Sequence, residues 1–171
     1  HGVLRSTVVK GQELAEEEKF RDYYAYAEPI RSVPSHRALA LFRGRALGVL
    51  RLDLGLDDAS EAAVPHPCVA MIAATVGIAS RGRRADAWLG AVCEWTWRVK
   101  VHAHVMVELM VRLRDAAEAE AIRIFGRNLH ELLLAAPYGT QKVLGIDPGQ
   151  RTGCKCAVVD ETGKLVDHTT I

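Results

Sequence analysis

The spacing of apolar and polar residues changes its period twice along this chain. Residues 49–54 alternate apolar side chains with Arg51 and Asp53, which predicts a strand. Residues 68–136 space their apolar side chains by three and four, which predicts helices. Residues 143–171 return to short apolar runs separated by glycine-containing turns. The pattern predicts an α/β protein that is mostly α, with a helical central region followed by three antiparallel strands.

The first third of the chain is mixed. Residues 3–9 fit either a strand or the buried end of a helix. Phe20, Tyr23 and Ala27 have helical spacing, and the Pro29 ring disfavours helix in the residue before it, so we expect a helix ending there. Ser35 is a candidate N-cap for a helix over residues 36–43 that Gly44 closes.

The central third is predicted to be helical throughout. One helix covers residues 68–79, and a second carries an amphipathic stripe that we interpret as core: Trp88, Val92, Trp95 and Val99. Because residues 87–136 contain no proline and one helix of that length is unusual, we expect a break near residues 100–104. A last helix, over residues 117–136, has an apolar side and ends before the turn at 137–139.

These elements divide the chain into three expected segments. Residues 1–58 form a mixed segment with an Arg-rich helix and strand, residues 59–139 a helical region, and residues 140–171 the opening of a further domain. The first residue is not Met and the last is an apolar strand residue, so we expect a longer protein.

Positive charge is concentrated locally, since the net charge is only +1. Five arginines and no acidic residue occur between positions 31 and 51, and a basic corner follows Ser80. They fit a solvated surface, or a phosphate-binding surface in which guanidinium groups grip phosphate oxygens. The candidate nucleic-acid contacts in these two stretches are Arg31, Arg37, Arg43, Arg45, Arg51, Arg81, Arg83 and Arg84.

Cysteine and histidine spacing indicates neither a disulfide framework nor a metal site. The four cysteines form no CxxC pair, which is typical of free thiols in a reducing, cytoplasmic compartment. His102 and His104 are two residues apart, the wrong spacing for one helical face, and His66 and Cys68 flank Pro67. We expect no metal site, no cofactor and no membrane-spanning segment.

Asp147 is the one candidate catalytic residue. It follows the apolar run at residues 143–146 and begins the turn that contains Pro148 and Gly149. A carboxylate at the end of a buried strand can bind a divalent metal, but cleavage of polynucleotides usually requires two or more carboxylates. Taken alone, Asp147 fits a turn residue at least as well.

The last predicted helix and the strands that follow it resemble the bacterial Tex family of transcription accessory proteins. The similarity rests on AIRIFGRNLHELLLAAP (residues 121–137) joined to LGIDPGQRTGCKCAVVDETGKLVDHTTI (residues 144–171). KFRDYYAYAEPI, VPSHRALALFRGR and EWTWRVK extend it upstream. The resemblance implies that residues 140–171 open a YqgF-type domain of the ribonuclease H fold, and that the family binds RNA or DNA rather than cutting it.

Within that resemblance, Asp147 matches the first-strand acidic position of resolvase-like proteins. Arg151 and Lys155 match the surrounding motif and join the candidate nucleic-acid contacts. The favoured hypothesis is therefore a transcription accessory protein that acts by binding nucleic acid. The alternatives are a metal-dependent nuclease that uses Asp147, and a scaffold that docks on a protein such as RNA polymerase.

Overall fold

The computed structural model describes residues 2–9, 17–136, 138–149 and 153–171. These residues form two compact units, His1–Gly126 and Arg127–Ile171. Residues 12–16, part of an acidic stretch for which the sequence predicts a solvated helix, lie outside the described residues.

The first unit is built on a three-stranded antiparallel sheet with the order β2-β1-β3. The strands are β1 (Val3–Val8), β2 (Ala25–Pro29) and β3 (Leu50–Gly55), and a 3₁₀ helix (Glu17–Tyr23) precedes β2. The prediction of a helix that continues to Pro29 is therefore wrong, because the helical residues end at Tyr23. Residues 25–29 instead form backbone hydrogen bonds to β1, with Thr7 opposite Ala25 and Val3 opposite Pro29.

Helix α1 (Ser35–Ala46) covers one face of this sheet. Ser35 is not the N-cap, since the helix starts after Pro34 and no side chain caps it. Gly44 lies inside α1 rather than closing it, since the helix continues to Ala46. Glycine suits this position because a Cβ there would be only 2.5 Å from Leu50 Cδ1. The alternation predicted around β3 is confirmed, with Leu50, Leu52 and Leu54 buried.

The helical region consists of α2 (Asp58–Glu61), α3 (Pro67–Thr75), α4 (Asp86–Trp95) and α5 (His102–Leu133). A π-helical segment (Thr96–Val101) joins α4 to α5. The predicted break near residues 100–104 is wrong, because the wider π-turn carries the helix through that stretch without interruption.

The stripe interpreted as core lies largely outside it. Trp88 is 67% exposed and Trp95 54% exposed, whereas Cys93 is 3% exposed. Along α5 the buried residues are Met110 and Ala117, which pack into the sheet core. Apolar side chains occupy more than one face of these helices. In α5 the buried face is the one that packs against the sheet.

The second unit contains the predicted antiparallel meander, with strand order β4-β5-β6. The strands are β4 (Val143–Asp147), β5 (Lys155–Val159) and β6 (Leu165–Thr170). Gly153 precedes β5 with φ +82°, and a Cβ there would overlap the Ile171 carbonyl oxygen. Every residue of β6 is exposed.

The architecture is the mixed α/β class expected from the sequence, with a helical region followed by three antiparallel strands. None of the described helices is both long enough and apolar enough to cross a membrane.

Candidate nucleic-acid interface

Arg43 and Arg45 line the same cavity between α1 and α5. Both side chains are exposed, and both residues lie in the last turn of α1. The cavity has a volume of about 700 Å³, and Arg114 of α5 contributes a third guanidinium group to it. Sequence reasoning missed Arg114, because no pattern in the sequence indicated that α5 lies beside α1.

The three guanidinium groups differ in how their charge is compensated. Arg114 Nε donates a hydrogen bond to Glu118 Oε1 at 2.7 Å, and this bond raises the pKa of Arg114. Within the described ranges, neither Arg43 nor Arg45 has an ion pair or a side-chain hydrogen bond. These two positive charges are therefore available to an external anion.

Arg37 is charge-compensated. Its Nη1 donates to Glu28 Oε2 at 3.2 Å, and that hydrogen bond is the main reason why the pKa of Arg37 is raised. Glu28 Oε2 also accepts a hydrogen bond from the Tyr26 hydroxyl. Burial, together with this bond, raises the pKa of Tyr26 to about 12.

Arg31 and Arg51 are exposed and lie away from the cavity lined by Arg43 and Arg45. Arg31 is in the turn that follows β2. Arg51 points to the face of the sheet opposite the one that α1 covers, because its neighbours Leu50 and Leu52 point into the core. The five arginines between positions 31 and 51 therefore do not form one continuous surface.

The basic corner before α4 is organised by Asp86. Its Oδ2 accepts hydrogen bonds from the backbone N–H groups of Arg81 at 2.6 Å and Arg83 at 2.9 Å, while its Oδ1 accepts from Arg83 Nε at 2.8 Å. These bonds, the backbone ones first, lower the pKa of Asp86. Arg83 is thus neutralised locally, whereas Arg81 and Arg84 expose their side chains.

Asp147 is the last residue of β4 and lies directly opposite Lys155 of β5. Paired residues in an antiparallel sheet share a face, so a cation neighbours this carboxylate. Both residues are exposed. Arg151, also predicted to contact nucleic acid, lies outside the described residues.

The other two carboxylates of interest in the second unit do not converge on Asp147. Asp160 lies beyond the opposite end of β5, where its Oδ1 accepts hydrogen bonds from Thr162 N at 2.8 Å and Lys164 N at 3.1 Å. Asp167 pairs with Val158, three positions along β5 from Lys155, and so lies on the other face of the sheet. In the described part of the chain no group of three or more His, Cys, Asp or Glu could hold a metal ion.

Sequence reasoning also missed a cluster of aromatic rings around Trp97. The His66 ring stacks on Trp97 at 5.4 Å between centroids, and His102 meets it edge-on at 5.3 Å. His66 is the N-cap residue of α3 and its Nδ1 accepts from the Cys68 N–H at 3.3 Å. Neither histidine was expected to be a ligand, and both have a structural partner.

Two protein families match adjacent parts of the chain. The Tex central region-like family matches residues 1–125, and the Tex protein YqgF-like domain family matches residues 141–171. These matches and the fold define a mixed α/β chain in which a helical central region precedes the strands of a YqgF-like domain. The chain belongs to the Tex family, as the resemblance in its sequence implied.

Individual relatives agree with this assignment. Protein tex of Bordetella pertussis is 53% identical over 99% of this chain, and the transcriptional accessory protein Tex of Neisseria gonorrhoeae is 44% identical over 98%. The chain spans 22% of the length of each. S1 RNA-binding domain-containing protein 1 of Homo sapiens is 27% identical over 90% of this chain, which covers 15% of that protein.

Proposed function

We propose that this chain contributes a nucleic-acid-binding surface to a transcription accessory protein, and that Arg43 and Arg45 are its main phosphate contacts. The observation that carries the proposal is the α1–α5 cavity, which is lined by two uncompensated guanidinium groups together with Arg114 and its partner Glu118. Guanidinium groups bind phosphate oxygens with two donors each. The names of the Neisseria and human relatives refer to transcription and to RNA binding, and they support the same class of partner.

The remaining predicted contacts differ in how far a neighbouring carboxylate compensates their positive charge. Arg31, Arg51, Arg81 and Arg84 are exposed and supply secondary contacts. Arg37 and Arg83 contribute less, because each is engaged by a carboxylate. Lys155 of the second unit adjoins Asp147, and Arg151 completes the proposed set.

The test is a fluorescence anisotropy titration of labelled single-stranded RNA and DNA at several salt concentrations. The double variant Arg43→Gln with Arg45→Gln is compared with Arg112→Gln and Arg123→Gln, which removes the same charge from arginines that are paired with glutamates on α5. Each lost phosphate contact lowers the slope of log affinity against log salt by roughly 0.7 for a single strand. We expect a decrease of roughly 1.4 for the first pair and little change for the second.

Equal slopes for the two double variants would exclude Arg43 and Arg45 as the main contacts. A comparison of the RNA and DNA titrations then identifies the preferred nucleic acid. Single glutamine variants at Arg31, Arg51, Arg81, Arg84 and Lys155 test the secondary contacts by the same measurement.

Protein docking is a second candidate function, favoured by the exposed aromatic side chains of α4 and α5. Trp88 is 67% exposed, and Phe125 of α5 is also 67% exposed. Exposed large aromatic residues are typical of protein interfaces. If they dock on RNA polymerase, Trp88→Ala with Trp95→Ala abolishes co-elution with the polymerase in gel filtration while nucleic-acid affinity is retained.

A further inference from the structure

A second cleft in the first unit consists of two cavities that share a wall. One has a volume of about 700 Å³, and five charged side chains and three aromatic rings line it together with small and apolar residues. The other has a volume of about 300 Å³ and is lined almost entirely by apolar side chains. Leu54, Gly55, Trp97 and His102 border both cavities. Neither cavity includes Arg43 or Arg45, so the cleft is distinct from the proposed nucleic-acid surface.

The smaller cavity suits a flat apolar group. Its walls include Met71, Ile72 and Val101, with Val105 and Met106 from α5. An apolar cavity of about 150 Å³ stays dry and binds benzene, so a cavity twice that size accommodates a bicyclic aromatic ring. The flexible thioether side chains of the two methionines can adapt to the shape of such a ring.

The shared wall is held in place before any ligand arrives. His66 Nε2 lies 3.3 Å from Glu61 Oε2, and His102 Nε2 donates to the Leu54 carbonyl at 2.9 Å. Both rings pack on Trp97, so its indole has a defined orientation. Gly55 leaves room at this wall, because a Cβ there would lie 2.7 Å from Glu61 Oε1.

The charges of the larger cavity favour a cation. Three carboxylates line it, those of Asp53, Glu61 and Glu94, against the guanidinium groups of Arg5 and Arg98. Arg5 Nη2 is already bound by the Leu56 carbonyl at 2.8 Å and by Asp58 at 2.7 Å, and Arg98 lies 3.6 Å from Glu94. Asp53 lies directly opposite Arg5 in the sheet, but Arg5 is engaged by Leu56 and Asp58. Asp53 itself is exposed and forms no ion pair with any described residue. A polyanion is disfavoured here, whereas a positive charge beside Asp53 is stabilised.

We propose that this double cavity binds an amphipathic organic cation. Its aromatic ring occupies the smaller, apolar cavity beside Trp97, and its ammonium group lies in the larger cavity near the Asp53 carboxylate. The two halves of the cleft together set the specificity: ring size is selected by Ile72, Val101 and Val105, and charge by Asp53.

The test uses three probes that share one ring and differ in charge: tryptamine, indole and indole-3-acetate. Binding to the whole chain is followed by NMR through the chemical shift of the Trp97 indole N–H. We expect affinity to decrease in that order, because the ring is constant and the charge changes from positive to negative. Equal affinity for the three probes, or no shift of the Trp97 signal with tryptamine, would overturn the proposal.

Variants separate the two halves of the cleft. Asp53→Asn lowers tryptamine affinity by roughly 2–5-fold, as expected for an exposed ion pair, and leaves indole affinity unchanged. Asp22→Asn is the matched control, since it removes an exposed carboxylate outside both cavities. Met71→Trp, at an exposed position on the rim, fills the apolar cavity and weakens all three probes. An identical loss of tryptamine affinity in Asp53→Asn and Asp22→Asn would contradict the charge assignment.

Discussion

The molecule contains two three-stranded antiparallel sheets that differ in what covers them. In the β2-β1-β3 sheet, Leu4 is fully buried and Leu50 is 2% exposed, because α1 and α5 pack on one face. In the β4-β5-β6 sheet, Leu144 is 57% exposed and no strand contains a buried residue. Strand pairing and burial are therefore separate properties: hydrogen bonding forms both sheets, but only one of them is part of a core in the described chain.

The largest expected difference between the sheets comes from removing a leucine side chain. Leu4→Ala leaves a cavity in the core and should cost about 2–5 kcal/mol in the free energy of unfolding. Leu144→Ala removes an exposed side chain and should change it by less than about 0.5 kcal/mol. Urea denaturation measures both, and comparable losses would show that the two sheets are buried to a similar extent.

Glycine-to-alanine substitutions should have opposite signs on two helices. At Gly44 the new Cβ would overlap the buried Leu50 side chain, so overpacking of about 1–3 kcal/mol outweighs the gain in helix propensity. At Gly126 of α5 no described atom lies within 4 Å of the new Cβ, so the propensity gain of about 0.5–1 kcal/mol stabilises the protein. Thermal denaturation of the two variants gives the signs, and stabilisation by Gly44→Ala would contradict the tight α1–β3 contact.

Removing a hydroxyl should stabilise the covered sheet only. Ser6 is 1% exposed, and its Oγ has no hydrogen-bond partner among the described residues. Since an unsatisfied buried polar group costs about 1–3 kcal/mol, Ser6→Ala should raise the free energy of unfolding by about 1 kcal/mol. Thr169→Ala, on the exposed β6, is the control and should change it little. A loss of stability in Ser6→Ala would indicate a partner for the hydroxyl.

Alkaline pH should affect the covered sheet through Tyr26. Burial and the bond to Glu28 raise its pKa from 10.0 to about 12, so the folded state favours the protonated phenol. The resulting stabilisation is complete below pH 10 and is lost as the pH rises from 10 to about 12, where the unfolded chain ionises first. Tyr26→Phe should remove this part of the pH dependence of unfolding, while Tyr138→Phe, at an exposed position, should leave it unchanged.

Acidic pH should have a smaller effect on the uncovered sheet through Asp160. Hydrogen bonds from Thr162, the side-chain one first, lower the pKa of Asp160 below 3.8. The stabilisation is present above the ordinary pKa of an aspartate and is lost as the pH falls through the lowered value. NMR titration of the carboxylate checks the direction, and Asp160→Asn should increase hydrogen exchange at the Lys164 N–H, which that carboxylate binds.

Much of the fold was predictable where one local signal was sufficient. The alternation around Leu50, Leu52 and Leu54 predicted β3, and the turn at residues 160–163 predicted the β5–β6 hairpin. The prediction failed at residues 25–29, where helical spacing was outweighed by pairing with β1. It also failed for Trp88 and Trp95, because periodicity identifies an apolar face but does not indicate which face is covered.

The candidate interface was predictable in its residue types and not in its geometry. The sequence offered Arg43 and Arg45 as candidate contacts, whereas Arg114 is 69 positions after Arg45 and lines the same cavity only because α5 lies beside α1. In the sequence, nothing distinguishes Arg37 and Arg83 from the other arginines. In the structure, Glu28 and Asp86 compensate their charges. Pairing of a charge depends on neighbours in space, which are often remote in sequence.

By itself the sequence determined the membership of the Tex family, the α/β class, the turn residues and the strands of the second sheet, because motifs and turn chemistry act over a few adjacent residues. Tertiary structure alone decided which arginines remain uncompensated, which helix face is buried, and that Trp97 lies between His66 and His102. The physical reason is that burial and electrostatic compensation depend on contacts between segments far apart in the chain. No local period of three, four or two residues encodes those contacts.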